Sequence, residues 1–285
     1  MLSSEGSVHF IAEAGINHNG DLSTAKSLML MAKKAGADSV KFQKRDPDVC
    51  VPTTQKTEIR DTPWGQMTYL DYKKKIEFDF TGYSEIDEYS KEIGIPWSAS
   101  AWDFGSLEFL EKFDLPYHKV ASALNTHLDF VRAVADTGKP VVISTGMASW
   151  SQIEAFVGVL RNRNTDFTVL HTVSTYPAKE EDLNLLFIKT LKDRLGVNVG
   201  YSGHEASASP SLIAASLGAQ IIERHVTLDR SMWGTDHAAS LEPEGLTRLI
   251  STIRKVPIVL GDGVKKDIEG EKAMAAKMRY WEVSS

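Results

Sequence analysis

Val141-Val142-Ile143-Ser144-Thr145 is a short apolar run that closes on two hydroxyls, and after Gly146 and a polar link a helical pattern of apolar residues occupies residues 153–161. The unit then repeats. An apolar run at 167–173 precedes a helical pattern at 185–195, one at 197–202 precedes 211–217, and one at 221–227 precedes 246–254. Toward the amino terminus, 118–122 precedes 128–136 and 97–101 precedes 107–113. His9-Phe10-Ile11-Ala12-Glu13-Ala14 ends in Gly15 and leads, through the Gly20-Asp21 turn, to helical spacing over 23–31 with Gly36 as the stop; Ser39-Val40-Lys41-Phe42-Gln43 follows. Runs this apolar, rich in Val and Ile, suit parallel strands covered on both faces. Eight such units predict an α/β fold, a single-domain (β/α)8 TIM barrel over residues 1–262, rather than a doubly wound sheet, which usually needs fewer strands. The tail at 263–285 is expected to be polar and then helical. From Lys44 to Asp79 the chain is polar, carries Pro47, Pro52 and Pro63, and keeps no period; a connection that long reads as a lid.

Composition narrows the function classes. The 285 residues are 42% hydrophobic and 25% charged, which excludes disorder and small disulfide scaffolds. A formal net charge of −6 gives no global field to attract nucleic acid. The single cysteine, Cys50, makes neither an internal disulfide nor a cysteine metal cage and suits a reducing cytoplasm. No apolar run approaches the ~20 residues of a membrane helix, and residues 1–8 lack the features of a signal peptide. Dinucleotide, NTPase and serine-hydrolase motifs are missing.

In a barrel of this kind, chemistry sits at the carboxyl ends of the strands, and there the polar residues gather. Glu13 closes the first strand, and Lys41 and Gln43 the second. Ser100 lies on the third, Lys119 and Ser122 on the fourth, and Ser144 on the fifth. The sixth runs into Ser174 and Tyr176, the seventh into Ser202 and His204, and the eighth into His225. Residues two apart share a strand face, so Lys41 pairs with Gln43 and Ser202 with His204. Lysines are rarely buried without a partner; two on strands point to an anion between them. The histidines suit a metal with open coordination positions, although each alone could be an ordinary polar residue satisfied by backbone. His171, inside an apolar run, reads as a core histidine. The Lys33-Lys34 and Lys73-Lys74-Lys75 runs read as solvated faces.

Several stretches resemble the sialic acid (N-acetylneuraminate) synthase family. They are Ala12-Glu13-Ala14-Gly15-Ile16-Asn17-His18-Asn19-Gly20, Val40-Lys41-Phe42-Gln43, the loop Trp64-Gly65-Gln66-Met67-Thr68-Tyr69-Leu70, and Lys139-Pro140-Val141-Val142-Ile143-Ser144-Thr145-Gly146-Met147. Gly200-Tyr201-Ser202-Gly203-His204, Glu223-Arg224-His225-Val226-Thr227 and Gly234-Thr235-Asp236-His237 complete the set. The resemblance implies a transferase that condenses phosphoenolpyruvate with an open-chain sugar aldehyde, giving a nine-carbon 2-keto acid and phosphate. It implies that Lys41 and Lys119, with Ser100, Ser122, Ser144 and Ser202, hold the phosphate and carboxylate. His204 and His225 would hold Mn2+ or Mg2+, Glu13 and Asp236 would move protons or orient water, and Gln43, Ser174 and Tyr176 would face substrate. A homodimer is the expected assembly.

Three departures from the family pattern stand out. Leu124 occupies a position where many members carry Glu or Asp, and Ser174 replaces an asparagine. The family's small C-terminal antifreeze-like domain, which supplies an arginine near the sugar's N-acyl group, has no counterpart in this sequence, which implies a more open sugar end and lower selectivity for N-acylated sugars. Three alternatives remain at this level: condensation with an aldose phosphate, which would need a further set of basic residues not evident in the sequence; a Schiff-base aldolase using Lys41 or Lys119; and an inactive barrel serving as a binding subunit.

Overall fold

In the computed structural model, which describes residues 7–283, each of the eight apolar runs forms a strand. The strands are β1 (His9–Gly15), β2 (Ser39–Lys44), β3 (Ile59–Thr62), β4 (Gly65–Thr68), β5 (Trp97–Ala101), β6 (His118–Val120), β7 (Val141–Ser144), β8 (Phe167–Thr172), β9 (Asn198–Gly203) and β10 (Ile221–His225). All but β3 and β4 close into one parallel barrel in the order β1-β10-β9-β8-β7-β6-β5-β2. The helices are α1 (Leu22–Ala35), α2 (Pro47–Cys50), α3 (Tyr69–Ile76), α4 (Phe80–Ile93), α5 (Phe104–Leu110), α6 (Leu128–Asp136), α7 (Trp150–Asn162), α8 (Phe187–Leu195), α9 (Ser209–Ser216), α10 (Pro243–Ile253), α11 (Val256–Leu260) and α12 (Glu269–Met278). The (β/α)8 reading therefore holds. No helix among the described residues is long and apolar enough to cross a membrane.

Strand periodicity explains how the interior is filled. Ile11, Tyr117, Val142, Leu170 and Ile221 form a separate buried cluster inside the barrel. Two residues further along each strand, on the same inward face, stand Glu13, Lys119, Ser144, Thr172 and Glu223. The apolar layer thus floors a polar one. Gly200 belongs to that floor for a steric reason: a Cβ there would lie 2.4 Å from Leu170 Cδ2 and 2.6 Å from the Ile221 carbonyl. The outward strand residues pack with the helices into the main apolar core, which includes Phe10, Val40, Phe42, Ile143, Val169, Leu191 and Ile222.

The segment between β2 and α4 carries more structure than its sequence pattern indicates. β3 and β4 pair as an antiparallel hairpin, and α3 follows with Thr68 as its N-cap, its side chain accepting from the Asp71 amide. The hairpin is largely exposed, so it lacks the alternation that marks a half-buried strand. Tyr72 and Ile76 of α3 bury against Ile16 of the β1–α1 loop. That docking is close, since a Cβ on Gly20 would lie 2.5 Å from the Lys75 carbonyl. Beyond α11, α12 is exposed at nearly every position.

Candidate active site

The polar layer opens at the carboxyl ends of the strands into a cavity of about 260 Å³. Lys41 is central. Its Nζ donates to Ser100 Oγ at 3.0 Å, lies 2.5 Å from Glu13 Oε2 and stands 3.9 Å from Glu223 Oε2. Lys119 Nζ donates to Ser144 Oγ at 2.7 Å and to the Val120 carbonyl at 3.1 Å, and sits 4.0 Å from Glu223 Oε1. Ser202 Oγ donates to that Glu223 oxygen at 3.0 Å, and Gln43 Nε2 donates to Glu13 Oε1 at 3.1 Å. The register carries this network around the barrel, with Glu13 opposite both Lys41 and His225, Ser100 opposite Lys119, and Ser202 opposite Glu223.

Burial works against every charge here, and the pairings decide which charges survive. Burial pulls the Lys41 ammonium down, but Glu13 and Glu223 outweigh it, so its pKa lies above the ordinary lysine value. At Lys119 burial wins over the attraction of Glu223, and its pKa falls to about 8. Burial would raise the Glu223 carboxyl; the ammonium groups of Lys119 and Lys41 overcome this and hold it below the usual range. An opposite charge at 4 Å contributes roughly 4 kcal/mol at an effective dielectric constant of about 20, which is enough to decide such a balance.

Hydroxyls line one wall. A Cβ on Gly146 would lie 2.1 Å from Ser174 Oγ and 2.6 Å from Ser122 Oγ, so both hydroxyls converge over bare backbone. Ser174 Oγ is buried without a hydrogen-bond partner among the described residues. Asn125 fixes the loop, its Nδ2 donating to the Ser144 and Gly146 carbonyls at 2.9 and 3.0 Å. A ligand oxygen would satisfy these donors. Leu124 does not line the cavity; it packs against the apolar core.

The histidines stand together, their ring centroids 5.5 Å apart. His204 Nδ1 lies 2.7 Å from the Val173 carbonyl and must donate to it, which leaves Nε2 as a lone pair accepting from Tyr176 Oη at 3.0 Å. Burial and the neighbouring His225 push the His204 pKa down to about 3, so the ring is neutral, as a metal ligand must be. His225 Nδ1 is buried without a hydrogen bond and lies 3.8 Å from Asp236 Oδ2. Among the described residues no group of three or more His, Cys, Asp or Glu has metal-holding geometry. A divalent ion here would have His204 and His225 as its two imidazole ligands and would need its other positions filled by water or substrate.

All the expected residues except Asp236 line this cavity. Asp236 lies behind His225 in an adjoining cavity of about 410 Å³, which shares Gln43, Trp102, Tyr176 and His225 with the first. His171 is a core histidine as expected, bonded to the Leu183 carbonyl at 2.6 Å. The expectation for the Lys73-Lys74-Lys75 run needs correction. Lys74 and Lys75 are exposed, but Lys73 is only 7% exposed, because α3 turns it inward onto the adjoining cavity. The sequence reading also passed over Glu223 as a site residue, although it stands two residues before His225 on one strand face.

With that geometry in place, the comparisons identify the lineage. The NeuB family profile matches residues 28–265. The chain belongs to the NeuB family. Among its relatives, N-acetylneuraminate-9-phosphate synthase of Homo sapiens is 36% identical over 94% of this chain and 75% of that protein. N,N'-diacetyllegionaminic acid synthase of Campylobacter jejuni is 37% identical over 92% of this chain and 80% of that protein. Among solved structures, the N-acetylneuraminic acid synthetase of Leptospira borgpetersenii in complex with citrate superimposes with a TM-score of 0.85 at 31% identity, covering 97% of this chain and 93% of that one. The solved NeuB relative thus shares the fold over nearly the whole of this chain.

Proposed function

We propose that this NeuB-family chain condenses phosphoenolpyruvate with the aldehyde form of a sugar, giving a nonulosonic 2-keto acid and inorganic phosphate. The observation that carries the reading is the paired-charge floor, in which Lys41 and Lys119 stand either side of Glu223 beneath a wall of converging hydroxyls. Lys119, Ser144, Ser122 and Ser174 present donors to an anion, and Lys41 adds positive potential while held by Glu13. The C3 carbon of phosphoenolpyruvate attacks the aldehyde carbon, and the aldehyde oxygen takes up a proton. Water adds at C2, and the C2–O bond to phosphate breaks as the ketone forms. Glu13, fixed by Lys41 and Gln43, and Asp236, beside His225, are the carboxylates placed to orient water and move protons. Burial and the nearby His225 act oppositely on Asp236, and its pKa lies below the usual value, so the carboxylate stays ionised beside His225.

His204 and His225 would hold Mn2+ or Mg2+, which supplies Lewis acidity toward the aldehyde oxygen when bound. A cytoplasmic setting suits Cys50, whose thiol burial pushes up to about 12 and so keeps unreactive. The test is phosphate release with phosphoenolpyruvate, Mn2+ and a panel of mannose, N-acetylmannosamine and di-N-acetylated hexoses. Release that requires the sugar and is lost in His204→Ala supports the reading. Sugar-independent release, or a borohydride-trapped adduct at Lys41 or Lys119, would overturn it.

A further inference from the structure

The adjoining cavity holds two cations that the reaction floor does not use. Arg45, 7% exposed, stacks its guanidinium over Trp102 at 4.4 Å, and its charge is balanced by Glu77 at 3.1 Å. Glu77 also takes Lys44 at 3.5 Å, so its charge is already shared. Asp236 is engaged by Thr235 Oγ1 at 2.7 Å and faces His225. That leaves Lys73. Its ammonium sits 5.3 Å from the ring centroids of both Tyr69 and Tyr72, and no carboxylate among the described residues lies within ion-pair distance of it. The aromatic rings steady the charge without using its N–H donors. A buried ammonium with idle donors on a cavity wall is costly alone and is relieved by an incoming anion. Burial first, then Arg45, pulls the Lys73 pKa down to about 8, which agrees with a cation short of partners.

Gln43, Trp102, Tyr176 and His225 line both cavities, so a sugar whose aldehyde meets the first cavity runs outward into the second. We propose that Lys73, with Arg45 beside it, forms an anion-binding subsite at the far end of the acceptor's path, and that the acceptor is an aldose carrying a phosphate monoester remote from its aldehyde. The inference rests on the condensation proposed above and names the acceptor class. It also supplies the further basic residues that could not be picked out of the sequence, where Lys73 is hidden within a run of three lysines.

The experiment compares kcat/KM for N-acetylmannosamine and its 6-phosphate at saturating phosphoenolpyruvate. Wild type should favour the phosphorylated sugar at least tenfold. Lys73→Gln should collapse that ratio toward one, Lys73→Arg should restore much of it, and Lys74→Gln, which alters an exposed neighbour paired with Asp48, should leave it unchanged. A wild-type preference for the unphosphorylated sugar, or a Lys73→Gln ratio equal to that of wild type, would overturn the proposal. Should neither these two sugars nor the wider panel turn over, the condensation reading fails, and calorimetric titration of each sugar into the phosphoenolpyruvate-loaded protein still tests the subsite. Tighter binding of the 6-phosphate, lost in Lys73→Gln with the melting temperature kept, supports it; equal binding of the two sugars refutes it.

Discussion

Replacing Lys41 by Met keeps the length of the side chain and removes its charge. Glu13, which is 2% exposed, would lose the ammonium 2.5 Å away and keep only the Gln43 amide. Glu223 would retain Lys119 at 4.0 Å but lose the second cation at 3.9 Å. Breaking a buried pair by removing one partner costs about 3–5 kcal/mol, so the melting temperature should fall by roughly 6–15 °C. The pH dependence has a definite sign. The Glu223 pKa is depressed in the folded protein, so its contribution is present above the ordinary glutamate value of 4.5 and is lost as pH falls through the folded value. Wild type therefore keeps this stabilisation down to about pH 4.5 and gives it up below, so the deficit of Lys41→Met should hold from pH 7 to 4.5 and narrow as the pH falls further. Denaturant unfolding of both proteins across that range reads the deficit directly. Adding Glu13→Gln to Lys41→Met should recover part of the stability and none of the turnover. A single variant as stable as wild type at pH 7 would refute the paired-charge account.

Lys119 loses its proton as pH rises through about 8, so the KM for phosphoenolpyruvate should climb above that pH by up to about tenfold per unit; a flat KM to pH 10 would remove it from the anion site. Gly146→Ala pushes a methyl into Ser174 Oγ and Ser122 Oγ, and calorimetry should show phosphoenolpyruvate binding at least tenfold weaker, whereas unchanged affinity would mean that the hydroxyls do not meet the ligand. Limited proteolysis of the β3–β4 hairpin should slow when phosphoenolpyruvate and Mn2+ are added, and an unaltered rate would argue against a lid.

The barrel was legible because strands buried on both faces lack polar alternation, which sets them apart from the helical patterns between them. Counting by twos along those strands also locates the inward side chains, so Lys41, Ser144 and His204 could be placed in the mouth before any coordinates. The same count would have found Glu223, which was passed over beside the more conspicuous His225. Other features depend on contacts distant in sequence. The hairpin has no buried face to pattern it, and Lys73 looks like its exposed neighbours until α3 docks on Ile16. Leu124, where many members of the resembling family carry Glu or Asp, packs against the core and does not line the cavity.

In the proposed condensation water attacks C2 of phosphoenolpyruvate, so that phosphate leaves with its original oxygens. Running the reaction with a sugar acceptor in water enriched in oxygen-18, and weighing the released phosphate by mass spectrometry, tests this most directly. The expected result is phosphate free of solvent oxygen, formed in step with an acid whose mass is that of the sugar plus one pyruvate unit carrying one solvent oxygen at C2. Phosphate carrying one solvent oxygen would contradict it, because the chain would then be hydrolysing the phosphoester at phosphorus.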